Sequence, residues 1–505
     1  MLKKIISNTF SNYVLKLVQI LLNLIAIPVL INNVGSEGFG IILFANVLVG
    51  YFSVLDLGIS QGLTKFVAEY TAKHNLERVK SIINTSLFFY FFIGLIVLSS
   101  VVLIVLFDGL KLFNISEENY DVAKNIFMLA GVLALFAWPK IAMEGAFRGI
   151  QKFSVLNLTI GIGRIFSVAL AILLALMDTP LEYIFLAFNA DKIILFFWQY
   201  QLLTKHMSFW RFEMSTVSIK TFQMIFAFSG WIMLGQIAVV LEYQSDQFIL
   251  ASMVSVSAIA TYTIVFFLFL LIQQVSGLAA SAVMPAVAET KARNNQDTVD
   301  FFVLYGSKYH NLLFVPIVII CYYLAEPFIR LWVGDEYTEY VWLVQVSVLF
   351  QLFWQSNAFL GQVYTGIGKS KKTGLIAIFS GISNVFLSVL LVNYYGLSGV
   401  ILGTLLAGAF SVPLVYVYIL PDLNLSRLLY FKKIFIETQI PLLFLGLLLY
   451  PLSGYFNDID SWVGLIAVFM VLLVLLYGFS YVFIFEKAHK AKLIASLSSK
   501  YGHTV

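Results

Sequence analysis

Three basic residues of this chain lie inside long apolar runs: Lys16, Arg164 and Lys192. A charge near the centre of a bilayer costs at least about 2.5–3.5 kcal/mol on insertion scales, so each needs a partner or a task. An Arg fork matches a phosphate bidentately and a Lys supplies a point charge. Together they suit a half-cavity that receives an anionic, phosphate-bearing headgroup. A second reading is structural: Arg164 and Lys192 pair with Asp191 or Asp56 to hold helices together, and Lys16 snorkels back to the interface.

Polar residues gather around these cations. Asn12, Lys16, Gln19 and Asn23 recur at spacings of four, three and four, which is one helical face. Asn46, Ser53, Asp56 and Ser60 repeat the pattern in the next apolar run, and Asn157, Gly161 and Arg164 share a face further on. Asn189, Asp191 and Lys192 stand together in mid-run. The expected binding residues are therefore Lys16, Gln19, Asn23, Arg164 and Lys192, with Asp56 and Asp191 as structural or coupling carboxylates.

The second half carries a different set. Glu242 and Asp246, at i and i+4, repel on one helical face, so one of them is suited to hold a proton or to couple transport to H⁺ or Na⁺. Gln351 and Gln355, near Trp354, suit sugar hydroxyls and rings, and equally suit helix–helix hydrogen bonding. Enzyme and metal signals are absent. His74, His206, His310, His489 and His503 are read as lying in loops, at span ends or in the tail, without metal spacing. Gly366-Ile367-Gly368-Lys369-Ser370 imitates the end of a phosphate-binding loop, but Val363 occupies the first glycine position and no strand precedes it. Cys321 is the single cysteine, so no intramolecular disulfide forms. The expectation is a non-enzyme without a cofactor or metal.

The elements that must position these residues follow from composition. Of 505 residues, 60% are hydrophobic and 11% charged, against about 25% charged in a soluble domain. Apolar runs near the roughly 20 residues of a spanning helix recur along the whole chain. They predict fourteen helical spans, at 12–31, 39–62, 82–106, 122–142, 155–176, 181–203, 224–251, 258–283, 307–325, 340–361, 374–392, 398–420, 434–450 and 462–485. The runs are too long and too uniformly apolar for alternating barrel strands. Met1-Leu2-Lys3-Lys4 before an apolar stretch imitates a signal peptide, but no small-x-small site follows, which predicts a retained first helix.

Charge orients the spans. Twenty-five of the 31 Lys and Arg residues fall in alternate loops or the two termini, while Glu117, Glu118, Asp121, Asp335, Glu336, Glu339, Asp458 and Asp460 mark the other face. The positive-inside rule then places both termini on the cytoplasmic side, with the chain a multi-pass membrane protein. The net charge of +4 belongs to this orientation and not to nucleic-acid binding.

At an offset of 220, Val67-Ala68-Glu69-Tyr70-Thr71-Ala72-Lys73-His74-Asn75 lies against Val287-Ala288-Glu289-Thr290-Lys291-Ala292-Arg293-Asn294-Asn295. Both stretches follow the second span of a half, on the same side. The match predicts two six-helix bundles of the same orientation, at 1–205 and 224–425. Residues 206–223 form an interfacial connector carrying Trp210 and Phe212, and 426–505 hold two further helices and a tail. The offset also makes Gln236 the counterpart of Lys16, adding it to the binding set.

Val34-Gly35-Ser36-Glu37-Gly38-Phe39-Gly40, Leu55-Asp56-Leu57-Gly58-Ile59, Ala68-Glu69 and Asp246-Gln247-Phe248-Ile249-Leu250 with Tyr262 resemble the signatures of the polysaccharide transporter family. That family belongs to the multidrug/oligosaccharidyl-lipid/polysaccharide (MOP) exporter superfamily and includes the O-antigen repeat-unit flippases. The resemblance implies an all-α fold like that of the multidrug exporters, with two bundles around a central cavity and two extra C-terminal helices. It implies alternating access and an undecaprenyl-pyrophosphate-linked oligosaccharide as cargo, with membrane lipids and other polysaccharide-assembly proteins as partners. The alternatives are a multidrug or cation antiporter, a lipid II flippase, and a membrane glycan polymerase or ligase. Three buried cations against Asp56 and Asp191 weigh against cationic cargo, and short external loops weigh against the polymerase.

Overall fold

The computed structural model describes the backbone of residues 2–281, 283–293, 296–369, 371–423 and 425–490; the side chains of 2–10, 230–234, 236, 239, 243, 281, 285 and 292 lie outside the description. Among the described residues there is no strand. The helices are α1 (Leu2–Tyr51), α2 (Ile59–Ala72), α3 (Leu76–Leu106), α4 (Tyr120–Gly149), α5 (Phe153–Leu176), α6 (Leu181–Phe188), α7 (Ala190–His206), α8 (Ile219–Tyr243), α9 (Ser245–Met253) and α10 (Ser257–Ser281). They continue as α11 (Val283–Ala292), α12 (Gln296–Phe301), α13 (Ser307–Tyr323), α14 (Ala325–Val333), α15 (Val341–Gly366), α16 (Lys371–Tyr418), α17 (Arg427–Phe431), α18 (Ile440–Leu447), α19 (Ser453–Asn457) and α20 (Trp462–Phe479).

Nine helical stretches among the described residues are long and apolar enough to cross a membrane. Two of them, Ser11–Asp56 and Lys371–Leu423, exceed any bilayer thickness. Each is broken at one glycine, Gly35 (φ 74°) in α1 and Gly396 (φ 54°) in α16, where a Cβ would strain the backbone. Each therefore holds two of the predicted spans. The remaining predicted spans fall largely on helix, so the chain is an all-α, multi-span membrane protein.

Several spans are less regular than their hydropathy suggests. The second, expected as one helix over 39–62, breaks into a 3₁₀ turn at Phe52–Asp56 followed by left-handed Leu57 (φ 51°) and Gly58 (φ 74°). A single helical face through Asn46, Ser53, Asp56 and Ser60 therefore does not exist. The sixth is interrupted at Asn189 between α6 and α7, and the seventh at Gln244 between α8 and α9. Glu242 and Asp246 thus sit on different helices.

Contacts divide the chain into two compact units, one of Met1–Ile264 with Ala377–Ala407 and one of Val265–Ile376 with Gly408–Val505. In the first, α3 packs along α4, with Tyr90 stacked on Trp138 (centroids 6.2 Å apart). The segment between α7 and α8 is pinned to α3 by Asn84. Its Oδ1 accepts from Trp210 Nε1 at 2.8 Å, and its Nδ2 donates to the carbonyl of Arg211 (3.1 Å) and to Thr216 Oγ1 (2.7 Å). Trp210, expected along the interface, is instead fully buried.

In the second unit α13 packs on α15, and Phe359, Leu360, Val363, Tyr364, Tyr430 and Ile434 share a core. Lys308 at the start of α13 is 2% exposed. It is neutralised by Glu486 (3.0 Å) and Glu437 (3.5 Å), and both acids also pair with Lys433 (2.9 and 3.0 Å). The three basic residues read as buried, Lys16, Arg164 and Lys192, all precede residue 205; Lys308 corrects that reading with a buried one in the second half.

Candidate functional site

The break at Asn189 ends α6 and frees its last carbonyls, which have no partner within the helix. Arg164 on α5 takes one of them: Nη1 donates to the Phe188 carbonyl at 2.9 Å, and the guanidinium lies 4.2 Å from the centre of the Phe188 ring. Its distance to Asp191 is 3.9 Å, an ion-pair distance but too long for a hydrogen bond. Asp191 Oδ1 is buried with no hydrogen-bond partner. Lys192, on the same turn, does not pair with a carboxylate: Nζ donates to Asn46 Oδ1 at 2.8 Å, and Asn46 Nδ2 is held by the Ile42 carbonyl at 2.9 Å. Lys16 is half-buried and makes no ion pair among the described residues.

Donor accounting shows what these cations are able to do; the contacts bring Arg164 and Lys192 together around Asp191 and Asn46 and do not tie Lys16 to them. Arg offers five N–H donors and Lys three. Among the described residues, Arg164 and Lys192 each make one hydrogen bond, and Lys16 makes none. Most of the donor capacity of the three cations is therefore unspent, and one carboxylate, Asp191, stands within ion-pair distance of any of them. Beside Lys16, Gln19 is half-buried and Asn23 exposed, and neither is hydrogen-bonded among the described residues. Asn12 is taken by Asn157, whose Nδ2 donates to its Oδ1 at 2.5 Å.

Asp56 serves neither Arg164 nor Lys192. It is 7% exposed and stabilises the break after the 3₁₀ turn. Ser60 donates to it twice, through N (3.2 Å) and Oγ (2.9 Å), and the Tyr90 hydroxyl donates to Oδ1.

Asp246 lies in a cage of neutral oxygens. Fully buried, it accepts from Thr404 Oγ1 (2.5 Å), Tyr262 OH (2.8 Å), Asn384 Nδ2 (3.1 Å) and Ser388 Oγ (3.3 Å). The Val400 carbonyl and Asn384 Oδ1 stand beside the same hydroxyls. The break at Gly396 folds the two arms of α16 together, and Gly403 allows the approach: a Cβ there would lie 2.7 Å from the Ser388 amide. One carboxylate among hydroxyl, amide and carbonyl oxygens is the donor set of a hard monovalent cation or of a proton. Glu242 adds its backbone carbonyl, which accepts from Asn384 Nδ2 at 3.1 Å, and its side chain makes no ion pair among the described residues.

The glutamines of the second unit are fully buried and bonded to neighbouring helices. Gln351 Nε2 donates to the Phe269 carbonyl (2.9 Å), and Gln355 Nε2 to Gln351 Oε1 (2.9 Å). Ser276 Oγ donates to Gln355 Oε1, and His310 Nε2 lies 2.9 Å from Ser276 Oγ. His310, expected at a span end, is 6% exposed within the stretch Gln296–Tyr323. Gln236 lies on α8, but its side chain is outside the described residues.

Sequence reasoning missed Asn384, Ser388 and Thr404. A signal was present: Asn384 and Ser388 stand four residues apart in a largely apolar run, the spacing that puts two polar side chains on one face. Their convergence with Asp246 depends on the hairpin at Gly396, which hydropathy does not reveal.

Residues 5–291 match the family model described as polysaccharide biosynthesis protein. The chain is 22% identical over 470 residues to the uncharacterized membrane protein EpsK of Bacillus subtilis (strain 168), covering 91% of each. It is 23% identical over 373 residues to a putative O-antigen transporter of Shigella flexneri, covering 70% of this chain and 83% of the relative. The fold is similar to that of the lipid II flippase MurJ in an inward closed conformation, with TM-score 0.68, 19% identity, and 94% of this chain and 97% of the other covered. It is similar too to an inward-facing multidrug resistance MATE family transporter of the MOP superfamily, with TM-score 0.67, 15% identity, and 80% and 94% covered.

Proposed function

This chain belongs to the polysaccharide biosynthesis protein family, and from that membership and the cations within its first unit we propose that it is a flippase for an anionic lipid-linked oligosaccharide. It is a transporter of the MOP type and not an enzyme. The cargo in this reading is an undecaprenyl-pyrophosphate-linked repeat unit, moved by alternating access from the cytoplasmic to the outer leaflet of a bacterial cytoplasmic membrane. The observation that carries the reading is the unspent donor capacity of Arg164, Lys192 and Lys16, with Asp191 the one carboxylate within ion-pair distance among the described residues. A pyrophosphate supplies the anionic oxygens that those donors lack, with Arg164 as the fork and the lysines as point charges. A cationic drug would meet repulsion there.

Coupling falls to Asp246. Its carboxylate binds Na⁺ or H⁺ with Thr404, Ser388 and the oxygens of Asn384 and Val400 as neutral ligands. Ion binding redirects hydroxyls that now donate to the carboxylate, and so changes how the arms of α16 are held to α9.

Deleting the gene and identifying by mass spectrometry the lipid-linked glycan retained on the cytoplasmic leaflet tests the reading. An undecaprenyl-pyrophosphate oligosaccharide is expected to accumulate. Accumulation of lipid II would reassign the cargo within the same cationic site, and no accumulation of either would overturn the proposal.

A further inference from the structure

Two apolar clefts open on the first unit, one on each side of Phe88. The larger, about 550 Å³, is walled by Phe91, Phe196, Phe197, Phe212 and Met214; the smaller, about 290 Å³, by Phe92, Val217, Ile219 and Phe222. Phe88 borders both. The segment between α7 and α8 contributes to each, and it is fixed to α3 by the three hydrogen bonds that Asn84 makes to Trp210, Arg211 and Thr216. The clefts are therefore built features and not the gaps of a loose loop.

We propose that they hold the two acyl chains of an anionic phospholipid from the leaflet next to the basic loops, with its phosphate on the cations in and flanking the connecting segment, Lys205, Arg211 and Lys220. Charge supports this occupant. Lys205, Arg211 and Lys220 are exposed, and none forms an ion pair among the described residues. Glu213, the one acid between them, is already paired with Lys80 at 2.7 Å. Basic residues at this level of a membrane protein attract anionic headgroups.

Depth supports it too. Phe88 and Phe91 follow Lys80 on α3 by eight and eleven residues, about 12 to 17 Å along a helix. That depth falls within the hydrocarbon of one leaflet, about 15 Å thick, where acyl chains run. The number of clefts discriminates between lipids, because a phospholipid has two tails and a polyprenyl carrier one.

Native mass spectrometry of the detergent-purified full chain tests the site, with palmitoyl-oleoyl phosphatidylglycerol, the matching phosphatidylethanolamine and undecaprenyl phosphate as probes. Phosphatidylglycerol should bind tightest. The combined Lys205→Gln, Arg211→Gln and Lys220→Gln variant should lose about fivefold per removed cation, with phosphatidylethanolamine unaffected. Phe88→Ala should weaken both phospholipids and keep their ratio. Arg211→Gln alone, at an exposed position, gives a single-step version of the same loss if the triple variant does not fold. Equal binding of the two phospholipids, undiminished phosphatidylglycerol binding in the Gln variants, or tighter binding of undecaprenyl phosphate would overturn the proposal.

Discussion

Lys192 Nζ meets Asn46 Oδ1 at 2.8 Å, so the ammonium in the first turn of α7 is held by an amide and, among the described residues, not by a carboxylate. The bond ties α7 to α1 and brings the ammonium no carboxylate of its own. Asp191, its neighbour in sequence, lies 3.9 Å from Arg164. A cluster meant only to hold helices together would match cations with acids, because a buried unpaired charge is costly. Here two cations share the one acid Asp191 among the described residues, and Lys192 is oriented by a neutral amide.

Asn46→Asp separates the two roles. It places a carboxylate within hydrogen-bond range of Lys192 with almost no change of shape, so the melting temperature in detergent should hold or rise. Transport of a fluorescent lipid-linked oligosaccharide in proteoliposomes should fall about tenfold, the effect of about 1.4 kcal/mol of lost anion binding. Wild-type transport by this variant would show that the free charge of Lys192 is not used.

Arg164 is tested by grading its chemistry. Arg164→Ala should reduce glycan export about a hundredfold or more while the protein still inserts, since a hydrogen bond between charged groups contributes about 1.5–3 kcal/mol and the fork makes two. Arg164→Lys keeps the charge, loses the fork and should fall between the two. Export at the wild-type level from the Ala variant, measured beside membrane abundance, would remove Arg164 from the cargo site.

Asp246→Asn keeps the shape of the caged side chain and removes its charge. Transport should lose its response to an imposed Na⁺ or H⁺ gradient, and Thr404→Val, which deletes the 2.5 Å partner, should weaken the response to the same ion. A purely structural cage would behave differently. Both variants would then lower the melting temperature and leave the gradient response intact.

How much of this was legible in the sequence depends on the scale of each feature. Spans and charge asymmetry are sums over some twenty residues, and the signal survives local irregularity. The breaks at Leu57–Gly58, Asn189 and Gln244 are decided by single residues, and they control the chemistry. Asp56 reaches Ser60 because the helix stops between them, and Arg164 reaches the Phe188 carbonyl because α6 ends there. Lys308 shows the same limit: its position at a span end suggested solvent, whereas Glu486, distant in sequence, covers it.

Glu486 gives the pH test. Burial opposes its ionisation, but the hydrogen bonds from Lys433 and Lys308 outweigh that, and its carboxyl lies below the ordinary value of 4.5. A carboxyl depressed in the folded state stabilises the fold fully above its unfolded pKa, and that contribution is lost as pH falls through the folded value. The melting temperature should therefore be insensitive to this group from pH 7 down to about 5 and decline below that. Glu486→Gln should melt lower at pH 7, by at least the roughly 1 kcal/mol of a lost charge-assisted bond, because Lys308 keeps only Glu437 at 3.5 Å. The variant should also show a shallower acid decline than the parent. Superimposable acid profiles for the two proteins would mean that the four-residue clamp contributes nothing to holding the C-terminal helices on α13.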